Sequence, residues 1–272
     1  MGPNAQTDGT EMEMGEYRSI RDASLWVEDR GEGDPVLLLH GGMSDVDEFD
    51  TNLFLLADRF QTVAYDRRGF GRSADTGAFT MEEMAADAAA VIESMDAGAA
   101  HAIGYSAGGM VAALVAIRRP ELVRSLTIIS SALRADDWII RPQAPEDDTV
   151  DAGYPSFMVD RYAELSPDGR EHFPILVRKV AELAAHDAAA ADALASFTGR
   201  ALIVCADDDF VTLESQIALY RSLARGELAV IPGTSHMLLL EKPQQVTAVV
   251  REFLQGPPPA TFAAIARSAG AD

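Results

Sequence analysis

The amino-acid sequence predicts an α/β protein: a doubly wound, mostly parallel sheet with a helical segment inserted past its middle. Three observations carry this. Short apolar runs, too short for helices, alternate with longer helix-like stretches, as repeated strand–helix units do. The alternation lapses between Leu133 and Gly199, where no buried strand is evident, and then resumes. Between one strand and its helix lies Gly104-Tyr105-Ser106-Ala107-Gly108, a serine with glycine two places away on either side.

The elements follow in order. Tyr17 to Ile20 and Ser24 to Glu28 are extended segments suited to a hairpin, before the turn Gly31-Glu32-Gly33-Asp34. Pro35-Val36-Leu37-Leu38-Leu39 is a continuous apolar run, the mark of a strand buried on both faces. A helix is expected over Val46 to Asp58 and a strand over Thr62 to Tyr65. The next helix runs from an N-cap at Thr80 to about Met95, with Glu83 completing a capping-box pattern. Ala102 to Tyr105 is the strand before the serine, Ala107 to Arg118 the helix after it, and Pro120 marks the stop. Leu122 to Ile129 holds another strand. In the insertion, Leu176 to Ala185 and Ala188 to Phe197 read as helices after proline-rich loops. The strand Leu202 to Cys205, a helix over Leu213 to Leu223, the strand Leu228 to Ile231 and a helix over Pro243 to Leu254 complete the pattern. Gly256-Pro257-Pro258-Pro259 ends it. The expected organisation is a flexible segment over 1–16, a core over 17–132 and 200–255, a helical cap over 133–199 and a tail over 256–272.

Composition narrows the partners. Hydrophobic residues make up 48% of the 272, enough for a sizeable core. The 43 acidic residues against 22 Lys and Arg give a net charge of −21, which repels nucleic acid and anionic membranes and favours solubility. No apolar run approaches the ~18 residues of a membrane span, and the polar start lacks the apolar stretch of a secretory signal. The expectation is a cytoplasmic protein with a small-molecule substrate. The single cysteine, Cys205, excludes an internal disulfide and reads as a buried thiol.

The serine is the chemical starting point. A tight strand-to-helix turn forces it into a strained backbone conformation with its hydroxyl exposed, and flanking side chains would collide with strand and helix, so glycine stands there. Such a nucleophile needs a base, an orienting acid and an oxyanion hole. Five histidines are present. His236, in Pro232-Gly233-Thr234-Ser235-His236-Met237, follows the last strand and shares the sheet edge with Ser106. His101 lies at the wrong end of its strand, His40 reads as structural, and His172 and His186 read as surface residues. An acid between serine and base in chain order is offered by Asp207-Asp208-Asp209, three neighbours whose mutual repulsion keeps most of them in water. His40-Gly41-Gly42-Met43, after the first buried strand, offers backbone N–H groups unobstructed by a Cβ. The Ala107 amide, at a helix N-terminus, offers another.

These motifs together resemble the α/β-hydrolase superfamily, in its single-domain group with a helical cap. The likeness is carried by Leu38-Leu39-His40-Gly41-Gly42, by Tyr65-Asp66-Arg67-Arg68-Gly69-Phe70-Gly71-Arg72-Ser73, by Gly104-Tyr105-Ser106-Ala107-Gly108-Gly109, by Ala206-Asp207-Asp208-Asp209 and by Gly233-Thr234-Ser235-His236. It spans roughly residues 17 to 255. The resemblance implies Ser106 as nucleophile and His236 as base. The family's acid commonly stands three residues after a strand-ending glycine; Ala206 occupies that place here, which gives Asp209, with Asp207 second. The family's first oxyanion donor implies Gly42, with Met43 second, and Ala107 supplies the other. Haloalkane dehalogenases and epoxide hydrolases carry aspartate at the nucleophile, so serine argues against both.

The function expected is hydrolysis of a carboxylic ester or lactone through an acyl-enzyme, with no cofactor and no metal. The pocket is expected to be apolar, with Met43, Tyr105 and Trp138 among its lining residues. The same three groups also serve C–C bond hydrolysis, lyase, perhydrolase and biosynthetic acyl-transfer or cyclisation chemistry. A binding protein on a hydrolase scaffold would have no need of all three.

Overall fold

A computed structural model gives the fold, with residues 15–145, 153–186 and 192–256 described. Eight strands form one sheet: β1 (Gly15–Ile20), β2 (Ala23–Arg30), β3 (Asp34–Leu39), β4 (Phe60–Tyr65), β5 (Ala100–Tyr105), β6 (Val123–Ile129), β7 (Arg200–Asp208) and β8 (Gly226–Ser235). Their spatial order is β1-β2-β4-β3-β5-β6-β7-β8. The pairs β1–β2 and β2–β4 are antiparallel and the remaining pairs parallel. β4 lies on one side of β3 and β5, reached from β4, on the other. The loops leaving β3 and β5 therefore open side by side at the carboxyl edge, the crevice where such sheets bind ligands.

The apolar strand runs feed two cores. Leu37 and Leu39 of β3 point into one, against α1 (Met81–Ser94) and α2 (Ala107–Arg118). Val36 and Leu38 point into the other, with Val46, Phe49, Leu53 and the last helix. Alternating side chains reach opposite faces, so a strand with helices on both sides has no polar face. Cys205 is buried, and burial pushes its thiol up to about 12.

Several expectations change. β1 begins at Gly15, inside the segment expected to be flexible; residues 1–14, and the tail from 257, lie outside the described residues. Val46 to Asp58 is not one helix but two 3-10 turns, Val46–Phe49 and Leu53–Asp58. Val46, Phe49, Leu53 and Leu56 have helical spacing, which is why the segment reads as a helix. Asn52 interrupts it: its side-chain oxygen accepts from Leu53 N–H at 2.5 Å and its amide donates to Glu48 C=O at 2.8 Å, taking up groups that a continuous helix would pair. Thr80 caps α1 through Glu83 N–H at 3.1 Å, but the Glu83 carboxylate pairs with Arg21.

Between β6 and β7 the chain forms α3 (Ser156–Leu165) and α4 (Phe173–Ala184). The first was unexpected among so many prolines, yet Pro155 stands at its N-cap, where its carbonyl accepts from Met158 N–H and no backbone donor is needed, and Val159 and Tyr162 form its buried stripe. The second starts earlier than expected, because Pro174 is tolerated in a first turn. The helix expected over 188–197 falls partly outside the described residues, and its described part is a 3-10 turn, Ala193–Ser196. The remaining helices are α5 (Leu213–Ser222), α6 (Leu238–Glu241) and α7 (Pro243–Gln255). Among the described residues no helix is long and apolar enough to cross a membrane.

The junction of β5 and α2 is the tightest part of the fold. A Cβ at Gly104 would stand 2.2 Å from Gly108 O, and one at Gly108 2.0 Å from Leu39 O. A Cβ at Gly42 would meet only ordinary contacts, 3.7 Å from Ala107 and Val180. Gly108→Ala is expected to cost about 3 kcal/mol or more, a fall in Tm of roughly 6–12 °C, whereas Gly42→Ala shifts Tm by less than about 2 °C. Scanning calorimetry of the two variants checks this.

Candidate active site

Ser106 sits between β5 and α2 with φ 51° and ψ −121°, a conformation that non-glycine residues rarely adopt. Its amide donates to Ile129 O at 2.8 Å, and its carbonyl accepts from Gly109 N–H at 2.9 Å. These bonds and the two close glycine contacts hold the turn, which lifts the hydroxyl to the carboxyl edge of the sheet.

His236 follows β8 directly, since that strand runs on through Pro232 to Ser235. Its Nε2 lies 3.0 Å from Ser106 Oγ and its Nδ1 2.6 Å from Asp209 Oδ1. An ionised carboxylate only accepts, so Nδ1–H donates to Asp209 and Nε2 is left to accept from the serine hydroxyl. Burial alone would push Asp209 up. The hydrogen bond and charge of His236 outweigh it, aided by the Val211 amide, and hold Asp209 below the usual carboxylate range. A hydroxyl, imidazole and carboxylate in this chain can take the proton from a serine as it attacks and stabilise the imidazolium that results.

The three aspartates separate by position. Asp209 is turned inward to His236, while Asp207 and Asp208 are exposed. Asp207 nevertheless has a task that the sequence reading missed: it accepts from Gly233 N–H at 2.8 Å and Thr234 N–H at 3.0 Å, tying β7 to the segment that carries His236. Tyr105 adds a second tie, donating its hydroxyl to His236 C=O at 2.6 Å, and its ring lies 5.4 Å from the imidazole. The other histidines lie elsewhere. His101 is buried and bonds Ser125 at 2.6 Å, His186 is exposed, and His172 contacts Asp75 at 3.1 Å and Tyr162 at 2.9 Å.

His40, fully buried, keeps its ring neutral: burial, then the Arg67 charge, holds it well below the usual histidine range. It shapes the loop after β3 together with two residues not anticipated, Glu48 and Arg67. Glu48 accepts from Gly41 N–H at 2.9 Å, so that amide is occupied. Gly42 and Met43 follow it along the cavity wall, Met43 with φ 59°. The space beside Gly42 touches Ala107, which places both amide-bearing residues at one spot next to Ser106.

Ser106 and His236 open into a cavity of about 710 Å³ whose walls are largely apolar, Met43, Tyr105 and Trp138 among them. Phe157, Tyr162 and Val180 of α3 and α4 also line it. The volume is that of a typical small-molecule site.

Two carboxyls near this site are raised. Burial first, opposed by the Gly41 amide, lifts Glu48 to about 7; burial, opposed by the Arg72 and Val46 amides, lifts Asp66 to about 7. A carboxyl raised in the folded state stabilises it below the unfolded value and loses that contribution as pH rises through the folded one. Glu48→Gln is therefore expected to gain Tm relative to wild type as pH rises from 4.5 to about 7. Thermal melts of both proteins across that range check the sign, and a difference that is flat or falls with pH contradicts it.

Residues 36–249 match the model of the alpha/beta hydrolase family. Over 118 residues the chain is 37% identical to a pimeloyl-[acyl-carrier protein] methyl ester esterase of Klebsiella pneumoniae, covering 42% of this chain and 44% of the esterase. Over 168 residues it is 32% identical to a non-heme chloroperoxidase of Streptomyces lividans, covering 60% and 58%. The chain spans about half the length of the first curated relatives it matches, 48% and 44%. A solved serine hydrolase involved in carbazole degradation shares the fold, with TM-score 0.75 at 19% identity, covering 88% of this chain and 98% of the other. With the family match running from β3 into α7 through the serine turn and His236, the chain belongs to the alpha/beta hydrolase family.

Proposed function

We propose that the protein hydrolyses a carboxylic ester or lactone of a small, fairly apolar molecule through an acyl-enzyme. The observation that carries the reading is the unbroken hydrogen-bond chain Ser106–His236–Asp209 opening on an apolar cavity. His236 Nε2 takes the hydroxyl proton as Ser106 Oγ bonds to the substrate carbonyl carbon. The Gly42 and Ala107 amides receive the oxyanion, and Asp209 stabilises the imidazolium. The tetrahedral adduct collapses, the alkoxide leaves with the proton from His236, and Ser106 keeps the acyl group. Water, deprotonated by His236, then attacks the acyl carbon and frees the acid and Ser106. Every group these steps require is a side chain or amide of this chain.

The segment over 133–199 acts as a cap over the nucleophile, which excludes water and sets the substrate. The apolar walls favour a neutral acyl group over an anionic one, and the methyl ester esterase among the relatives fits ester chemistry. The chloroperoxidase relative favours one second reading, in which peroxide instead of water takes the acyl group from Ser106 and leaves as a peracid.

A fluorophosphonate probe is expected to label wild type and not Ser106→Ala, read by intact-mass spectrometry; an unlabelled wild type overturns the reading. Asp209→Asn is expected to lower kcat on the best p-nitrophenyl ester by about 10³–10⁴-fold, because the imidazole is then held in the wrong tautomer. Asp208→Asn, exposed, stays within about twofold. Comparing the two kcat values decides whether the loss belongs to Asp209 or follows removal of any carboxylate of the run.

A further inference from the structure

Glu48 stands on the 3-10 turn Val46–Phe49 and faces the cavity beside the loop after β3. A carboxyl there is costly, and it forms no ion pair among the described residues. Asp45, the other carboxylate of the lining, is tied to Arg161 at 3.0 Å. The groups facing Glu48 are the Gly41 amide, the Ser44 hydroxyl, Asp45, the Arg67 guanidinium and the Tyr105 ring.

The backbone around Gly41 shows what it is held for. In the peptide unit joining His40 to Gly41, the carbonyl accepts from Arg67 Nη2 at 2.9 Å and the N–H donates to Glu48 Oε2 at 2.9 Å. In the next unit, the Gly41 carbonyl accepts from Arg67 Nη2 at 2.8 Å and from His40 Nδ1 at 2.7 Å. The opposite end of that second unit is the Gly42 N–H. In a trans peptide the carbonyl and N–H point in opposite directions, so anchoring the Gly41 carbonyl aims the Gly42 N–H away from Arg67. Gly41 has no Cβ to restrict the rotation between the two units. Arg67 holds the carbonyl edge of both, and among the described residues Glu48 is the side chain that holds the N–H edge of the first.

We propose that Glu48 is a positioning residue for the oxyanion hole: its carboxyl holds the first of these peptide units by the N–H edge, Arg67 and His40 hold the second by its carbonyl, and with both units pinned the Gly42 N–H keeps one direction. The assignment rests on Gly42 as an oxyanion donor in the reaction proposed above. It requires an acceptor oxygen at the end of the side chain and not a negative charge. Glutamine supplies that oxygen, leucine does not, and aspartate is one methylene too short.

The test measures kcat and KM for wild type, Glu48→Gln, Glu48→Leu and Glu48→Asp on the p-nitrophenyl ester that wild type turns over fastest. Circular dichroism checks that each variant is folded, and Glu48→Asp stands in if Glu48→Leu is not. Leucine and aspartate are expected to lower kcat by about 10–100-fold with KM within about threefold, because an oxyanion donor acts in the transition state and not on the bound substrate. Glutamine is expected to stay within about threefold of wild type. A folded Glu48→Leu within about twofold of wild type overturns the proposal; so does a Glu48→Gln as impaired as Glu48→Leu, or a loss confined to KM. If wild type neither hydrolyses esters nor takes the fluorophosphonate, the proposed reaction fails. If it does both and Glu48→Leu matches it, only the role of Glu48 fails.

Discussion

Where α2 leaves β5, its first turn lies directly on the end of β3. No heavy atom fits between the Gly104 and Gly108 backbones, or between Gly108 and the Leu39 carbonyl. Everything at the carboxyl edge is referenced to this contact. It forces Ser106 into a left-handed conformation, sets the N-terminus of α2 with the Ala107 amide, and brings the loop after β3 against both. Strain at one residue is maintained by two cores of packed strands and helices on either side.

Around that fixed point the loops are held by polar side chains, most of them buried and bonded to backbone, as unsatisfied amides near an apolar core would be costly. Asp66 receives the Val46 amide at 2.8 Å and the Arg72 amide at 2.7 Å, and Gly71 is glycine because a Cβ there would strike the Asp66 carboxyl at 2.3 Å. Arg68 forks onto the buried Asp87 of α1. Asp207 and Tyr105 hold the segment carrying His236, and Arg67, His40 and Glu48 hold the loop after β3. A motif such as Asp66 to Ser73 is thus mostly scaffolding, and its residues are placed to fix backbone that other residues use.

The segment between β6 and β7 contributes differently. It adds apolar side chains to the cavity that Ser106 lines, packs Phe173, Leu176 and Val177 into one of the cores, and is tied further by polar contacts: Arg161 with Asp45 and Asp47, and Lys179 and His172 with Asp75. The fold hosts many chemistries, and selectivity within it rests on such variable walls. Ser106 and His236 stand at the edge of this cavity, whose walls are largely apolar.

Much of this was legible in the chain before any coordinates. Strands buried on both faces announce themselves as short apolar runs, and a serine between glycines at a strand–helix boundary has few other physical explanations. The histidine after the last strand and the aspartates after the one before follow from chain order. Local pattern failed where the same residues satisfy two geometries. Val46, Phe49, Leu53 and Leu56 fit a helix as well as two 3-10 turns, and only the Asn52 hydrogen bonds decide between them. Prolines concealed α3 because a proline just before a helix and one inside it look alike in sequence. Asp207, Glu48 and Arg67 were invisible as a group, since each acts on backbone distant in the chain. Spacing along one segment therefore determined the sheet, the serine turn and the order of its partners. The resemblance pointed to Asp209 among the three aspartates, and the structure turns it toward His236; which amides are held was decided by the tertiary structure alone, because that depends on contacts between segments that the sequence does not place side by side.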